Sequence, residues 1–573
     1  MPSKKVLRSS EWFQGTEYYN FARRAWLRSE GFQHDVFEGK PVIGICNSWS
    51  ELNNCNAHLR QVAEAVKRGV WAAGGFPLEF PTISLGEMFM RPTSMLYRNL
   101  MAMDVEESIR ANPLDGVVLL CGCDKTTPAQ LMGAASADIP AVVVTGGPML
   151  SGQWRDRKLG AGTDGRKLFD LFRTGRLSEE EWNEVEGCLA RSSGHCTVMG
   201  TASTMASLAE AMGMTLPGCA AIPAPDSRRL AMAELSGRRA VEMATTDLRP
   251  SSVITRESLE NAITVHMALG GSTNAVVHLL AIAGRLGIRL TLDDFDRISR
   301  RVPHLVNVKP SGEFLMEDFF EAGGVPVVMR ELLPLLHSEC VTVNGRTVRE
   351  NVGTAKCWNP AVIRPMDQPL AAEGGTAILY GNLAPDGAVL KPTAASPELL
   401  QHRGRAVVFE NHQQMQEQID SEDLPVDRNS VLVMKSSGPK GAPGFPEWGQ
   451  IPMPAKLLRQ GVQDMVRVSD ARMSGTSFGT VVLHVAPESA VGGPLAIVRS
   501  GDEIVLDTAG RRIAVSLSDE EMSRRLREFQ PPAPHYKRGY GSLFLRHIEQ
   551  AHLGCDFDFL KKAGPRKEGD EAR

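Results

Sequence analysis

The chain is poor in several features that would give its function away, and each shortage excludes something. Aromatic residues make up 6% of its 573 positions, while hydrophobic residues reach 42% and charged residues 23%. That mixture is too apolar for a disordered chain and too varied for a fibrous one. Excess charge of one sign is missing, since 63 basic residues face 67 acidic ones for a net charge of -4. Nucleic acid and anionic lipid are therefore not expected partners. No charge-free apolar run is long enough to span a bilayer; residues 196–222 come closest, but their Gly, Ser and Thr content and Glu210 favour a buried protein segment. The first five residues lead into polar sequence without the apolar core of a signal peptide, so a cytoplasmic protein is expected. The ten cysteines are scattered from Cys46 to Cys555, unlike a small secreted disulfide framework, and should be reduced thiols or metal ligands. No fixed-period repeat or low-complexity tract is present, which excludes solenoids and propellers.

What is there predicts an α/β protein with at least two domains. Between residues 41 and 150, short apolar runs (41–46, 116–121 and 141–145) alternate with helix-like segments at 57–73 and 94–110, the pattern of parallel strands covered by helices. Residues 177–340 read as largely helical, with apolar residues recurring at three- and four-residue intervals over 257–269 and 275–286. Beyond about residue 375 come short strand candidates at 376–380, 406–409, 431–434, 480–485, 503–506 and 512–515, punctuated by Gly and Pro as in a barrel or sandwich. The expected architecture is a three-layer α/β/α domain with a parallel sheet over residues 1–385, followed by a β-barrel-like domain and tail over 386–573. The aromatic stretch 539–560 should dock on something, whereas 561–573 is charged and expected to fray.

One segment combines unlike chemistries at the end of a strand. Gly122-Cys123-Asp124-Lys125-Thr126-Thr127-Pro128 follows the run 116–121, so a soft thiolate, a hard carboxylate and an amine emerge where open α/β sheets place ligands. Alone, this is most simply a buried Cys beside a surface Asp-Lys pair. It has company in Asn53-Asn54-Cys55-Asn56, Ser84-Leu85-Gly86-Glu87-Met88, Gly194-His195-Cys196-Thr197 and Gly270-Gly271-Ser272-Thr273-Asn274. Further on stand Gly381-Asn382-Leu383-Ala384-Pro385-Asp386-Gly387, Gly438-Pro439-Lys440-Gly441 leading to Glu447, and Ser469-Asp470-Ala471-Arg472-Met473-Ser474-Gly475-Thr476.

These ordered segments, from about residue 40 to 507, strongly resemble the dihydroxy-acid and phosphogluconate dehydratase family. The resemblance implies that Cys55, Cys123 and Cys196 hold an iron-sulfur cluster with one iron open to a substrate hydroxyl. A [2Fe-2S] cluster is expected by analogy with the aldonate branch, with [4Fe-4S] as the alternative. Zinc normally wants four close-set ligands and no open position. The resemblance further assigns Glu87, Asp124, Lys125 and Glu447 to Mg2+ or Mn2+, with Lys125 carbamylated into an anionic oxygen ligand. Ser474 matches the base that takes the C2 proton, and Thr476 a neighbouring donor or substrate contact. Cys46 and Cys121 read as strand-core residues.

The implied reaction removes water from a sugar acid at C2 and C3 to give a 2-keto-3-deoxy acid. Segments 91–100 and 538–560 look like the aldonate branch, especially pentonate dehydratases. Branched-chain dihydroxy acids are the alternative substrate class. A non-enzymatic iron-sulfur sensor or electron carrier would have no use for the hard-metal residues. Ser203, where many relatives carry Asn, and Asn54, where Pro is common, depart from the pattern. A homodimer or homotetramer is expected, both from the resemblance and from the aromatic tail.

Overall fold

The computed structural model describes residues 6–562; the first five residues and 563–573, most of the charged tail expected to fray, lie outside them. Four strands, β1 (Val42–Asn47), β2 (Phe76–Pro81), β3 (Gly116–Cys121) and β4 (Ala141–Thr145), pair in parallel in the order β2-β1-β3-β4, with β1, β3 and β4 buried throughout and β2 partly exposed at the edge. Helix α1 (Leu59–Ala72) connects β1 to β2, and α2 (Thr126–Ala137) connects β3 to β4. The two crossovers run in opposite directions across the sheet, so right-handed connections place the helices on opposite faces. This is the expected three-layer arrangement. Between β1 and β3 the strand order reverses, which opens a crevice at their C-terminal ends.

The helical region continues with α3 (Thr201–Ala211), α4 (Ser227–Thr246), α5 (Arg256–Leu269) and α6 (Asn274–Arg285). α4 packs along α1 and against the sheet, and α5 and α6 are buried along nearly their whole length. The apolar stretch around residue 210 is thus a core helix, and no helix among the described residues is long and apolar enough to cross a membrane.

Eight further strands close into a barrel: β5 (Ala377–Gly381), β6 (Ala384–Leu390), β7 (Gln401–Phe409), β8 (Val431–Met434), β9 (Arg467–Ser469), β10 (Val481–Ala486), β11 (Glu503–Asp507) and β12 (Arg512–Val515). The sequence patterns located six of these. They missed β6, whose Pro385-Asp386-Gly387 reads as a turn, and β9, which is only three residues long. β7, β8, β9 and β10 run parallel, so the loops after β8 and β9 leave the same rim.

The aromatic tail docks within its own chain. Phe544 and Phe557 are buried in a cluster with Met95, Leu96 and Phe445, and Tyr540 stacks on Tyr97 and donates to the Leu96 carbonyl at 2.7 Å. Buried Arg98 donates to the Cys555 carbonyl at 2.6 Å, and Arg285 pairs with Asp556 at 2.6 Å with both side chains sealed from solvent. The tail's apolar surface is therefore largely satisfied within the chain and gives no argument for a second subunit.

Candidate active site

The three proposed sulfur ligands come from loops that are stitched together by backbone. Cys55 lies in a single 3-10 turn just before α1, where the Asn53 side chain accepts its N–H at 3.2 Å. Cys123 follows β3, and Thr126 at the start of α2 accepts the N–H groups of Gly122 and Cys123 at 3.2 and 2.8 Å. Gly122 is required here, because a Cβ would come within 2.7 Å of the Cys55 carbonyl. The Cys196 loop is held by His195, whose N–H donates to the Gly147 carbonyl at 3.0 Å, and by Gly194, whose N–H donates to the Asn54 carbonyl at 3.1 Å.

Both departures from the family pattern serve this loop. Asn54 donates to the Gly194 carbonyl at 3.3 Å, and Ser203 on α3 donates to the Val198 carbonyl at 2.8 Å.

Cys55 and Cys123 sit within hydrogen-bonding reach of each other, and that contact, with burial, holds the Cys55 thiol well above the usual range. Burial pushes Cys196 up to about 12, with the nearby charges of Asp124, Cys123 and Glu447 adding to it. A thiol held neutral in this way, as Cys55 and Cys196 are, becomes a ligand only when a cation compensates its thiolate. Cys46 and Cys121 are fully buried in β1 and β3, and burial drives Cys121 up to about 12 as well.

Next to the sulfur atoms stands a group of charges. The ammonium of Lys125, with its side chain fully buried, lies 3.2 Å from Glu87, 3.5 Å from Asp124 and 3.3 Å from Glu447. Burial would lower the lysine, but Glu447 and Glu87 raise it above its ordinary value. Burial would likewise raise Glu87, yet Lys125 and Arg472, helped by Ser94 and Thr93, bring it to about 2. Burial pushes Asp124 up to about 6 against the pull of Lys125, with Glu447 and Glu87 adding to the rise. As an ammonium, Lys125 draws the carboxylates to itself, and no three of His, Cys, Asp and Glu among the described residues gather tightly enough to hold one ion. The donor set is nonetheless hard oxygen beside soft sulfur, which suits a dication beside iron.

Glu447 and Ser474 arrive from the barrel rim, on the loops after β8 and β9. These loops are laced together by Arg472, a fully buried residue that donates to the Phe445 carbonyl at 2.8 Å, to Glu447 at 3.0 Å and to Thr93 at 3.3 Å. Asp470 adds to the lacing, accepting the Ser437 N–H at 2.9 Å and the Ser489 hydroxyl at 2.6 Å. The Ser474 and Thr476 hydroxyls are 3.0 Å apart, and the Thr476 carbonyl accepts from Thr163 at 2.7 Å. Between them Gly475 passes so close to α3 that a Cβ would lie 2.5 Å from the Thr201 nitrogen and 2.6 Å from the Ser272 hydroxyl.

Two residues with structural leverage were not singled out from sequence. Asn274, at the start of α6, donates to Glu447 at 3.0 Å and to the Met473 carbonyl at 3.1 Å, joining the hard-charge group to the Ser474 loop. Arg472 is the other. Both lie inside segments that carry the family resemblance, and an arginine between Ala471 and Met473 was the available signal. The tail also reaches the site indirectly: it packs on residues 95–99, immediately after Thr93 and Ser94, whose hydroxyls both hold Glu87.

Residues 40–351 match the dihydroxy-acid/6-phosphogluconate dehydratase N-terminal family, and residues 361–555 match its C-terminal counterpart. The chain belongs to this family. It is a dehydratase, similar to an L-arabinonate dehydratase of Rhizobium leguminosarum bv. trifolii (strain WSM2304), with 55% identity covering 97% of this chain and 96% of the relative. An L-arabonate dehydratase of Azospirillum brasilense is 53% identical over 97% of both chains. A 6-deoxy-6-sulfo-D-gluconate dehydratase of Pseudomonas putida is 49% identical over 97% of both. The dehydratase thus matches relatives of nearly its own length.

Proposed function

We propose that the protein dehydrates an aldonic acid at C2 and C3 to a 2-keto-3-deoxy acid, with pentonates such as L-arabinonate as the favoured substrates. The observation that supports this reading is the juxtaposition at Cys123-Asp124-Lys125, where a buried cysteine adjoins a group of three carboxylates around one buried lysine. Cys55, Cys123 and Cys196 would hold a [2Fe-2S] cluster. Glu87, Asp124, Glu447 and a carbamylated Lys125 would hold Mg2+. Carbamylation replaces the ammonium by an anion, so that the carboxylates lose their ion-pair partner and become available as ligands.

When bound, these two groups supply Lewis acidity at the departing C3 hydroxyl and at the substrate carboxylate. The chain's residues do the rest. Ser474 takes the C2 proton; its hydroxyl is too weakly acidic to ionise unaided, and Thr476, 3.0 Å away, is placed to donate to the resulting oxyanion. Arg472 and Asn274 fix Glu447 in place and keep the Ser474 loop against it. The enol product then ketonises to the keto acid, with no net oxidation. We further propose that the protein works as a homo-oligomer in the cytoplasm.

A panel of aldonates and branched-chain dihydroxy acids, scored for 2-keto-acid formation, tests the assignment. Turnover of pentonates is expected; turnover of branched-chain dihydroxy acids alone would assign the alternative substrate class. Labelling with 13C-carbon dioxide should give a carbamate resonance that is absent in Lys125→Arg.

A further inference from the structure

The loop after β10 leaves the same barrel rim as the loops that carry Glu447 and Ser474, and its first residues touch both of them. Glu488, 1% exposed, accepts the N–H of Lys440 at 3.0 Å and that of Gly441 at 2.8 Å, on the stretch that leads to Glu447. Gly438 on that stretch has no room for a side chain, since a Cβ would lie 2.5 Å from Glu488 Oε2. The neighbouring Ser489 accepts the Ser436 N–H at 2.7 Å and donates its hydroxyl to Asp470 at 2.6 Å, on the stretch that leads to Ser474.

Glu488 is held in turn by the aromatic tail. Gln550 grips it twice: its Nε2 donates to Glu488 Oε1 at 2.7 Å, and its Oε1 accepts the Glu488 N–H at 2.9 Å. On either side of Gln550 the tail is anchored without this contact, by buried Phe544 before it and by Phe557 and the Asp556–Arg285 pair after it. The Gln550 amide is therefore a fixed support for Glu488.

No cation pairs with Glu488 among the described residues, and its charge is met by N–H groups alone. Burial, with Asp470 adding to it, pushes the carboxyl up to about 7 against the pull of those donors. A buried carboxylate without a counter-charge depends on its full set of hydrogen bonds, so the loss of one donor is felt by the others.

We infer that Gln550 and Glu488 are positioning residues for Glu447, a role that rests on the metal reading given above. Gln550 sets Glu488, Glu488 sets the Lys440-Gly441 turn, and that turn together with Arg472 fixes where the Glu447 carboxylate stands. The tail thereby becomes part of the outer support of the hard-metal site, where removal of a partner commonly lowers metal affinity about 10- to 100-fold.

The test compares the wild type with Gln550→Leu, both full-length, loaded with cluster and stripped of divalent metal. Titration with Mn2+, followed by electron paramagnetic resonance, should show an affinity about tenfold lower in the variant, with cluster absorbance unchanged. Before Mn2+ is added, amide exchange over residues 438–447 should be faster in the variant, while exchange over β3 stays the same. A variant that melts earlier yet binds Mn2+ as tightly as the wild type, or one that exchanges at the wild-type rate over 438–447, would overturn the inference. A wild type that binds no Mn2+ would instead remove the metal reading, and this role with it. Should Gln550→Leu fail to fold, Gly438→Ala, which sets a methyl group against Glu488 Oε2, is decided by the same two measurements.

Discussion

The two halves of the site are held by different physics. On the sheet side, Cys55, Cys123 and Cys196 hang on loops fixed by neutral backbone and hydroxyl hydrogen bonds, around glycines that permit close approach. On the barrel side, Glu447 and the Ser474 loop are held by buried charge, with Arg472 as the hub. Neutral thiols need no counter-charge until they bind metal, whereas a buried carboxylate needs a counter-charge, as Glu447 has in Arg472, or a full set of donors, as Asp470 has in Ser437 and Ser489. The first half should therefore tolerate damage structurally and lose chemistry, and the second should lose both.

The largest effects should come from the residues proposed to meet substrate or cluster. Ser474→Ala is expected to lower turnover about 10²- to 10⁴-fold while cluster absorbance and bound metal stay unchanged; wild-type rates would remove Ser474 from the mechanism. Cys123→Ser should bleach the cluster absorbance and abolish turnover, yet leave the metal-free fold close to wild type in denaturant titrations. An unchanged spectrum would reassign that ligand.

On the barrel side, Arg472→Met leaves Glu447 without one of its buried partners and should destabilise the protein by about 3–5 kcal/mol. A loss as small as that of Cys123→Ser would erase the contrast between the halves. A smaller loss, about 1 kcal/mol, is expected for Ser203→Ala, which removes one hydrogen bond from the Cys196 loop.

The smallest signal concerns pH in the metal-free protein. Glu87 is depressed from its ordinary 4.5 to about 2, so its contribution to stability is complete above about 4.5 and is lost as pH falls toward 2. Asp124, raised to about 6, works in the opposite sense: its folded form binds a proton more readily, and stability falls as pH rises from 3.8 through 6. Glu87→Gln should therefore flatten the acid limb of the stability curve between pH 4.5 and 2. An unaltered limb would mean that Lys125 is not its ion-pair partner in the metal-free protein.

Much of this was legible in the residues. Strands β1, β3 and β4 and helices α5 and α6 declared themselves through apolar runs and helical spacing, because burial imposes a period on any chain that forms such elements. Strand β9 did not, since three residues carry no period, and β6 was hidden by its own turn-like Pro385-Asp386-Gly387. Arg472 and Asn274 lay in plain view within motif segments. Their roles depend on partners up to several hundred positions away, among them Thr93, which no local pattern encodes.

Local residue chemistry thus determined most of the elements, because spacing and side-chain type act over a few neighbouring positions, and the ordered motif segments carried the resemblance to the family and, through it, the candidate ligands. Only the tertiary structure decided that Lys125 stands among three carboxylates, that the aromatic tail turns back onto residues 95–99, and that Arg472 ties Glu447 to Thr93. Each of these depends on distances between segments remote in the chain, and Coulombic and packing energies are set by those distances.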